Sequence, residues 1–211
     1  MNRMIALMIA IAAVLGTTPS RFPDPPQDVK PSGEQTAVLA GGCFWGVEAV
    51  FERLAGVTDV VSGYAGGSAA TAHYTVVSMG ATGHAESVKI TYDSSKITYG
   101  QLLKVFFAVA HDPTELNRQG PDEGTQYRSS IFYTTPEQQA VAQAYIKQLD
   151  AAKVFRRPIV TKVVPLDGFH SAEAYHQNYL VNHRTNPYIV YNDLPKLDRL
   201  EKEFPELLKR K

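Results

Sequence analysis

The stretch Val38 to Leu54, VLAGGCFWGVEAVFERL, constrains the fold more than any other part of this chain. An apolar run stops at Gly41-Gly42, and apolar residues then recur at Val47, Val50, Phe51 and Leu54. The continuous run reads as a buried strand, and the i, i+3, i+4, i+7 spacing reads as a helix with one apolar face. The glycine pair marks a tight turn between them, and Gly56 stops the helix. A strand turning directly into a one-faced helix demands a layer of helix over sheet.

The rest of the sequence repeats that grammar. VTDVVSGYAGG is a second strand closing in a glycine-rich loop, and ESVKITYD alternates, with Val88, Ile90 and Tyr92 on one side. YGQLLKVFFAVAH puts Leu102, Leu103, Phe106, Phe107 and Ala110 on one helical stripe. A long loop, DPTELNRQGPDEGTQ, leads to the strand YRSSIFYT. Thr135, Pro136 and Gln138 spell a capping-box start for EQQAVAQAYIKQLDAA. PIVTKVV reads as a further strand and SAEAYHQNYLVNH as a further helix capped by Ser171. Strands interleaved with one-faced helices predict a single α/β domain, a two-layer sandwich on a mixed sheet.

The ends differ from this domain. Residues 1–20, MNRMIALMIAIAAVLGTTPS, have a basic start at Arg3, an apolar run from Met4 to Leu15, then small and polar residues. That is the order of a signal peptide, and the run is short against the ~20 residues of a bilayer span. Thr18-Pro19-Ser20 is a poor cleavage site, so an uncleaved membrane anchor stays open as the alternative. Residues 21–35 are rich in proline and polar groups and read as a linker. The domain is expected over 36–193, followed by a charged tail at 194–211 that reads as a solvated terminal helix. Export places the protein in the periplasm or outside the cell, as a monomer. The formal net charge is zero, which gives no support to a nucleic-acid partner.

Cys43 is the only cysteine. In an oxidising compartment cysteines normally pair, so a lone one is buried and inert, paired between chains, or reactive. Its place after Gly-Gly, at the mouth of a helix, predicts a lowered pKa, because free N–H groups and the helix dipole favour an anion. Phe44 and Trp45 follow, as core packing or as an apolar pocket beside the sulfur. If the alternation of ESVKITYD extends back, Glu86 shares the core side; a carboxyl there resists ionising and can act as a general acid near neutrality. The chain has no C-x-x-C and no H-E-x-x-H, so no metal is expected. His176 and His183 fall seven apart on the last predicted helix. A cysteine hydrolase pairing Cys43 with His84 or His176 is a competing reading, as is a non-catalytic module that binds a partner through the Trp45 pocket or, given the resemblance below, oxidised proteins.

Taken together, GGCFWGVE, GYAGG, YTVVSMGATGHAE, HDPTELNRQGPDEGTQYRS and AEAYHQNYL resemble the peptide methionine sulfoxide reductase A family, in order and spacing, from about Thr36 to Asn182. The resemblance implies a ferredoxin-like sandwich and thiol-dependent reduction of methionine S-sulfoxide, free or in proteins, hence repair under oxidative stress. It casts Cys43 as nucleophile, passing through a sulfenic acid, and Glu86 as acid. Tyr74 and Tyr127 become donors to the sulfoxide oxygen, Phe44 and Trp45 the pocket for the S-methyl group, and Asp122 a substrate-orienting residue. Glu48 and His176 fall in family motifs with structural roles expected. Many family members resolve the sulfenic acid with further cysteines, and this sequence has none. It implies no cofactor, and regeneration by an external thiol: a thioredoxin-like or glutaredoxin-like protein, or dithiothreitol in vitro.

Overall fold

A computed structural model describes residues 21–210, so the predicted signal segment lies outside the described residues. In chain order the elements are β1 (Glu34–Gly41), α1 (Phe44–Glu52), β2 (Val57–Ala65), α2 (Tyr74–Val77), β3 (Ala85–Asp93), α3 (Tyr99–Val105), β4 (Arg118–Gln119) and β5 (Asp122–Glu123). They continue with β6 (Ser129–Tyr133), α4 (Pro136–Ala151), β7 (Lys162–Pro165), β8 (Phe169–Ser171), α5 (Tyr179–Asn182) and α6 (Leu194–Glu203).

The main sheet has the order β7-β6-β1-β3-β2-β8. All neighbours are antiparallel except β6 and β7, which run parallel. Its four inner strands, with α1 between β1 and β2 and α3 between β3 and β6, form the split βαβ pattern of ferredoxin-like folds. Side-chain alternation sorts the two faces. Ala37 and Leu39 of β1 join the large core under the helices, whereas Val38 and Ala40 join a small cluster with Ala65, Ala85 and Phe132 on the opposite face. The same alternation on β3 sends Glu86, Val88, Ile90 and Tyr92 into the interior, as the sequence pattern predicts.

Local signals explain most boundaries. Thr98 and Gln101 make a complete capping box that opens α3. At α4 only half of the expected box forms: Thr135 accepts from the Gln138 backbone N–H, but the Gln138 side chain accepts from Thr134 instead. The run YGQLLKVFFAVAH continues from α3 into a π-helical turn, Phe106–Ala110, which is entirely buried.

Four expectations are corrected. SAEAYHQNYLVNH is not one helix: Ser171 ends β8, Ala174–His176 is a 3-10 turn, and Asn178 takes a left-handed conformation (φ 54°) before the short α5. His176 and His183 therefore do not share a helical face. PIVTKVV becomes strand only from Lys162. Residues 21–33, expected as a linker, form no helix or strand but lie along the body: Phe22 is buried, the Pro23 carbonyl accepts from the Tyr145 hydroxyl, and Asp28 accepts from the Gly100 backbone. Nor is the tail a solvated helix. Leu197, Leu200 and Phe204 are buried in the main core, and Leu208 bridges back to Leu54. Charged residues hide this from a reader of sequence, because a three-to-four-residue apolar stripe is enough to dock a helix.

If α6 is part of the core, Leu200→Ala lowers the unfolding free energy by about 2–5 kcal/mol. Urea denaturation measures this, and a change within ~0.5 kcal/mol, the usual effect of a surface substitution, would mean that the tail does not dock.

Candidate active site

Three chain segments meet at the end of β1. The Gly41-Gly42 turn brings the chain to Cys43, which is the N-cap of α1 rather than a residue of its first turn. Gly42 has φ +90°, and a Cβ there would lie 2.5 Å from the Gln119 side chain, so both conformation and space require glycine. Gln119 belongs to the small β4–β5 hairpin and is held by two hydrogen bonds with the Asp112 backbone. Gly46, one turn into α1, admits Asp193 of the C-terminal region: a Cβ there would sit 2.0 Å from the Asp193 carboxylate.

Glu86, near the start of β3, is 3 % exposed and accepts a hydrogen bond from the Phe44 backbone N–H at 3.1 Å. Helix α1 thus points one of its free N–H groups at this carboxyl, next to the cysteine. Burial nonetheless dominates: it raises the Glu86 pKa to about 8, against the lowering effect of the Phe44 bond. Near neutrality the carboxyl holds a proton.

Cys43 departs from the sequence expectation. The residue is 8 % exposed, and burial raises its pKa well above that of a free thiol, with Glu86 and Asp193 adding to the rise. The Trp45 backbone N–H and the Lys196 ammonium pull the other way without prevailing. Position at the helix start is outweighed by desolvation and two neighbouring carboxyls, so the resting group is a neutral thiol.

Tyr74, first residue of α2, and Tyr127, in a 3-10 turn before β6 rather than on the strand, are both half-buried. Burial raises both hydroxyl pKa values, and Glu86 and Cys43 each add to the rise, which places the hydroxyls within electrostatic reach of the pair. Tyr74 is fixed through its backbone N–H, which donates to Glu173 at 2.9 Å; the other Glu173 oxygen accepts from Tyr64. Asp122 on β5 accepts from the Tyr188 hydroxyl. Burial raises the Asp122 pKa despite that bond. Asp122, Tyr188, Gln119, Asn192 and Lys196 line a 120 Å³ cavity that opens on Cys43.

The aromatic side of the site is built on α1. Phe44 is buried, with its ring 5.0 Å from the His176 ring. Trp45 stacks on Tyr179 at 3.7 Å and donates its indole N–H to His176 Nδ1 at 3.1 Å. Tyr74 lies 4.5 Å from the same imidazole. His176 is therefore the hub of an aromatic wall, and as an acceptor from Trp45 it is neutral; burial also lowers its pKa. His84 is tied to the Ser68 carbonyl at 3.0 Å. Among the described residues no hydrogen bond joins either histidine to Cys43, which removes the support for a Cys–His pair. Glu48 accepts from the Asn178 backbone N–H and so holds the left-handed turn of the segment that carries His176. Gln177 brackets Ser62 of β2 with two hydrogen bonds.

Of the seven residues given catalytic or substrate-binding roles by the resemblance, Cys43 and Asp122 line one cavity, Phe44 binds Glu86 through its backbone, Phe44, Trp45 and Tyr74 pack on His176, and Tyr74 and Tyr127 feel the charge of Glu86. Sequence reasoning missed Tyr188, Asp193 and Lys196. The tyrosine and Asp193 sit in an unremarked NPYIVYND stretch at the end of the expected domain, and Lys196 belongs to a tail whose charge read as solvation.

Comparison with known proteins gives the family and the fold. A family model described as peptide methionine sulfoxide reductase matches residues 35–208. Peptide methionine sulfoxide reductase MsrA 2 of Synechocystis sp. is 49% identical over 211 residues, covering 97% of this chain and 99% of the relative. The protein of the same name from Mesorhizobium japonicum is 57% identical over 179 residues, 85% of this chain and 92% of its own. Among solved structures, Saccharomyces cerevisiae Mxr1 in reduced form superposes with a TM-score of 0.67 at 32% identity, over 74% of this chain and 90% of its own. Methionine sulfoxide reductase A of Corynebacterium diphtheriae gives 0.64 at 31% identity, over 86% and 93%. The chain belongs to the peptide methionine sulfoxide reductase family.

Proposed function

We propose that Cys43, Glu86, Tyr74, Tyr127 and Asp122 carry out this family's reaction, the thiol-dependent reduction of methionine sulfoxide to methionine, acting on the S epimer. The observation that carries this reading is a buried, protonated Glu86 held beside Cys43 by the Phe44 N–H. A sulfoxide sulfur is electrophilic, but its oxygen leaves poorly until it is protonated. Glu86 gives its proton to that oxygen and regains one from the thiol, so the sulfur attacks as a thiolate formed only when substrate is bound. Tyr74 and Tyr127 donate to the same oxygen as its charge changes. Phe44 and Trp45 face the methyl group, and Asp122 orients the substrate from the opposite wall.

Atoms and electrons balance in the first half. The attack joins the Cys43 and substrate sulfurs, the protonated oxygen leaves as water, and water then attacks the Cys43 sulfur, breaking the S–S bond to release methionine and leave a sulfenic acid; methionine sulfur is reduced by two electrons and Cys43 is oxidised by two. One sulfur suffices for this half, which accounts for a lone cysteine. The second half needs thiols from outside, such as a thioredoxin-like or glutaredoxin-like protein or dithiothreitol. The reading includes export, because residues 1–20 have the order of a signal peptide. Oxidised proteins outside the cytoplasm are then the substrates.

Three results check this. Without reductant, excess methyl sulfoxide of the S epimer yields one equivalent of reduced product and a trappable sulfenic acid on Cys43; Cys43→Ser yields none, and turnover by that variant would discard the nucleophile. The single-turnover rate falls as pH rises through about 8, where Glu86 loses its proton. Glu86→Gln slows this step by roughly 10²–10⁴-fold and removes that limb; a rate that instead climbs with thiolate formation refutes the acid role. Finally, mass analysis of the protein from its native host finds a chain beginning near residue 21 in an extracytoplasmic fraction, and a full-length cytoplasmic chain would end the export reading.

A further inference from the structure

A second cavity of 360 Å³ adjoins the cavity at Cys43, and the two share Gln119 and Lys196 as wall residues. Its lining brings three cations, Arg21, Lys196 and Arg199, against one carboxylate, Asp112. The remaining wall is largely aromatic. Phe22 meets Phe155 edge to face at 5.8 Å, and the guanidiniums of Arg21 and Arg199 each stand 5.9 Å from the centre of the Phe22 ring. Lys196 is fixed by Asp193, at 3.0 Å, on the buried side. Arg199 spends its Nε–H on Glu203, and Arg21 donates to the Val154 carbonyl. His111, also in the wall, is occupied by the Phe106 carbonyl and the Ser129 hydroxyl and is neutral.

This arrangement has the size of a small-molecule site, its lining holds more cations than carboxylates although Lys196 and Arg199 are each paired with a carboxylate of their own, and Gln119 and Lys196 form the wall it shares with the cavity at Cys43. The reaction assigned above leaves a sulfenic acid that the chain has no second thiol to resolve. Resting on that reading, we propose that the cavity binds a small thiol bearing one or more carboxylates, and that this thiol is the direct reductant of Cys43. The carboxylate sits against Arg199 and Arg21, and the sulfur passes between Gln119 and Lys196. There it attacks the sulfenic sulfur: the S–O bond breaks, a mixed disulfide with Cys43 forms, and the oxygen leaves as water with the thiol proton and the proton of the sulfenic acid. A second thiol then takes the first as a disulfide and returns Cys43 to its reduced form, two electrons having come from two thiols. Neither Arg199 nor Arg21 lines the Cys43 cavity, so the binding contacts are separate from those of the sulfoxide.

The test starts from full-length enzyme oxidised with one equivalent of methyl sulfoxide, with the sulfenic acid counted by a trapping reagent. That enzyme is mixed with 3-mercaptopropionate, 2-mercaptoethanol or cysteamine, and formation of the mixed disulfide is followed by mass spectrometry, with rates expressed per thiolate. The anionic thiol is expected to react about tenfold faster than the neutral one, and the cationic thiol slowest, within the range of electrostatic steering. The excess shrinks as salt is raised. Arg199→Glu removes the excess, shown by the ratio of anionic to neutral rates within the same variant, and Arg199→Lys keeps it. If no sulfenic acid forms at the start, the catalytic reading fails and takes this one with it. If it forms in full and the three thiols react without regard to charge, or Arg199→Glu leaves the ratio intact, the docking site alone is overturned. A thioredoxin-fold protein that outpaces every small thiol equally in both variants also overturns it.

Discussion

The hydrogen bond from the Phe44 backbone N–H to Glu86 joins the start of α1 to the start of β3, and the rest of the site is arranged around it. It exists because β1 and β3 are hydrogen-bonded neighbours at the middle of the sheet, while the Gly41-Gly42 turn feeds β1 straight into α1. Strand alternation then turns Glu86 toward the helices rather than toward solvent. A carboxyl at that position has one backbone donor and an apolar surround, and the surround wins. Burial of neutral Glu86 also links folding to pH. The group is protonated in the folded state and ionised in the unfolded state between its ordinary value and about 8, so its contribution to stability is fully present at low pH and is lost as pH rises through that interval. The cost is carried at the one place where a proton is needed for chemistry.

Placing the thiol in the same dry environment changes how it is activated. A cysteine at a helix start is commonly anionic at rest, but here two carboxyls and desolvation outweigh the helix and Lys196. The unliganded enzyme therefore holds two protons, one on each reacting group, and a neutral thiol is the less reactive form toward stray oxidants. Substrate supplies the missing acceptor: its oxygen takes the proton from Glu86, which frees that carboxyl to draw one from Cys43. The C-terminal segment completes the enclosure, with Asp193 filling the space left by Gly46 and Lys196 standing at the cavity wall. The region that read as a solvated tail is part of the site.

Much of this was legible in the sequence. Periodicity located β1, α1, β2, β3, α3, β6 and α4, and strand parity put Glu86 on the interior side. The motif likeness supplied Tyr74, Tyr127 and Asp122, which no local pattern marks out. What stayed hidden was long-range. SAEAYHQNYLVNH has helical spacing, yet Glu48 and Gln177 hold it in turns through contacts with α1 and β2. Phe22 sits among prolines and charges that read as a linker, and its burial depends on partners more than a hundred residues away. The direction of the Cys43 pKa was misread for the same reason: helix position is local information, whereas Asp193 and the depth of burial are tertiary.

The central claim is that Glu86 is a neutral acid in the resting enzyme. Infrared difference spectra between the wild type and Glu86→Gln, recorded across pH, read this group directly. The account predicts the carbonyl stretch of a protonated carboxylic acid at neutral pH, absent from the variant and fading with a midpoint near pH 8. A carboxylate signature for Glu86 already complete near its ordinary value of 4.5 would contradict it.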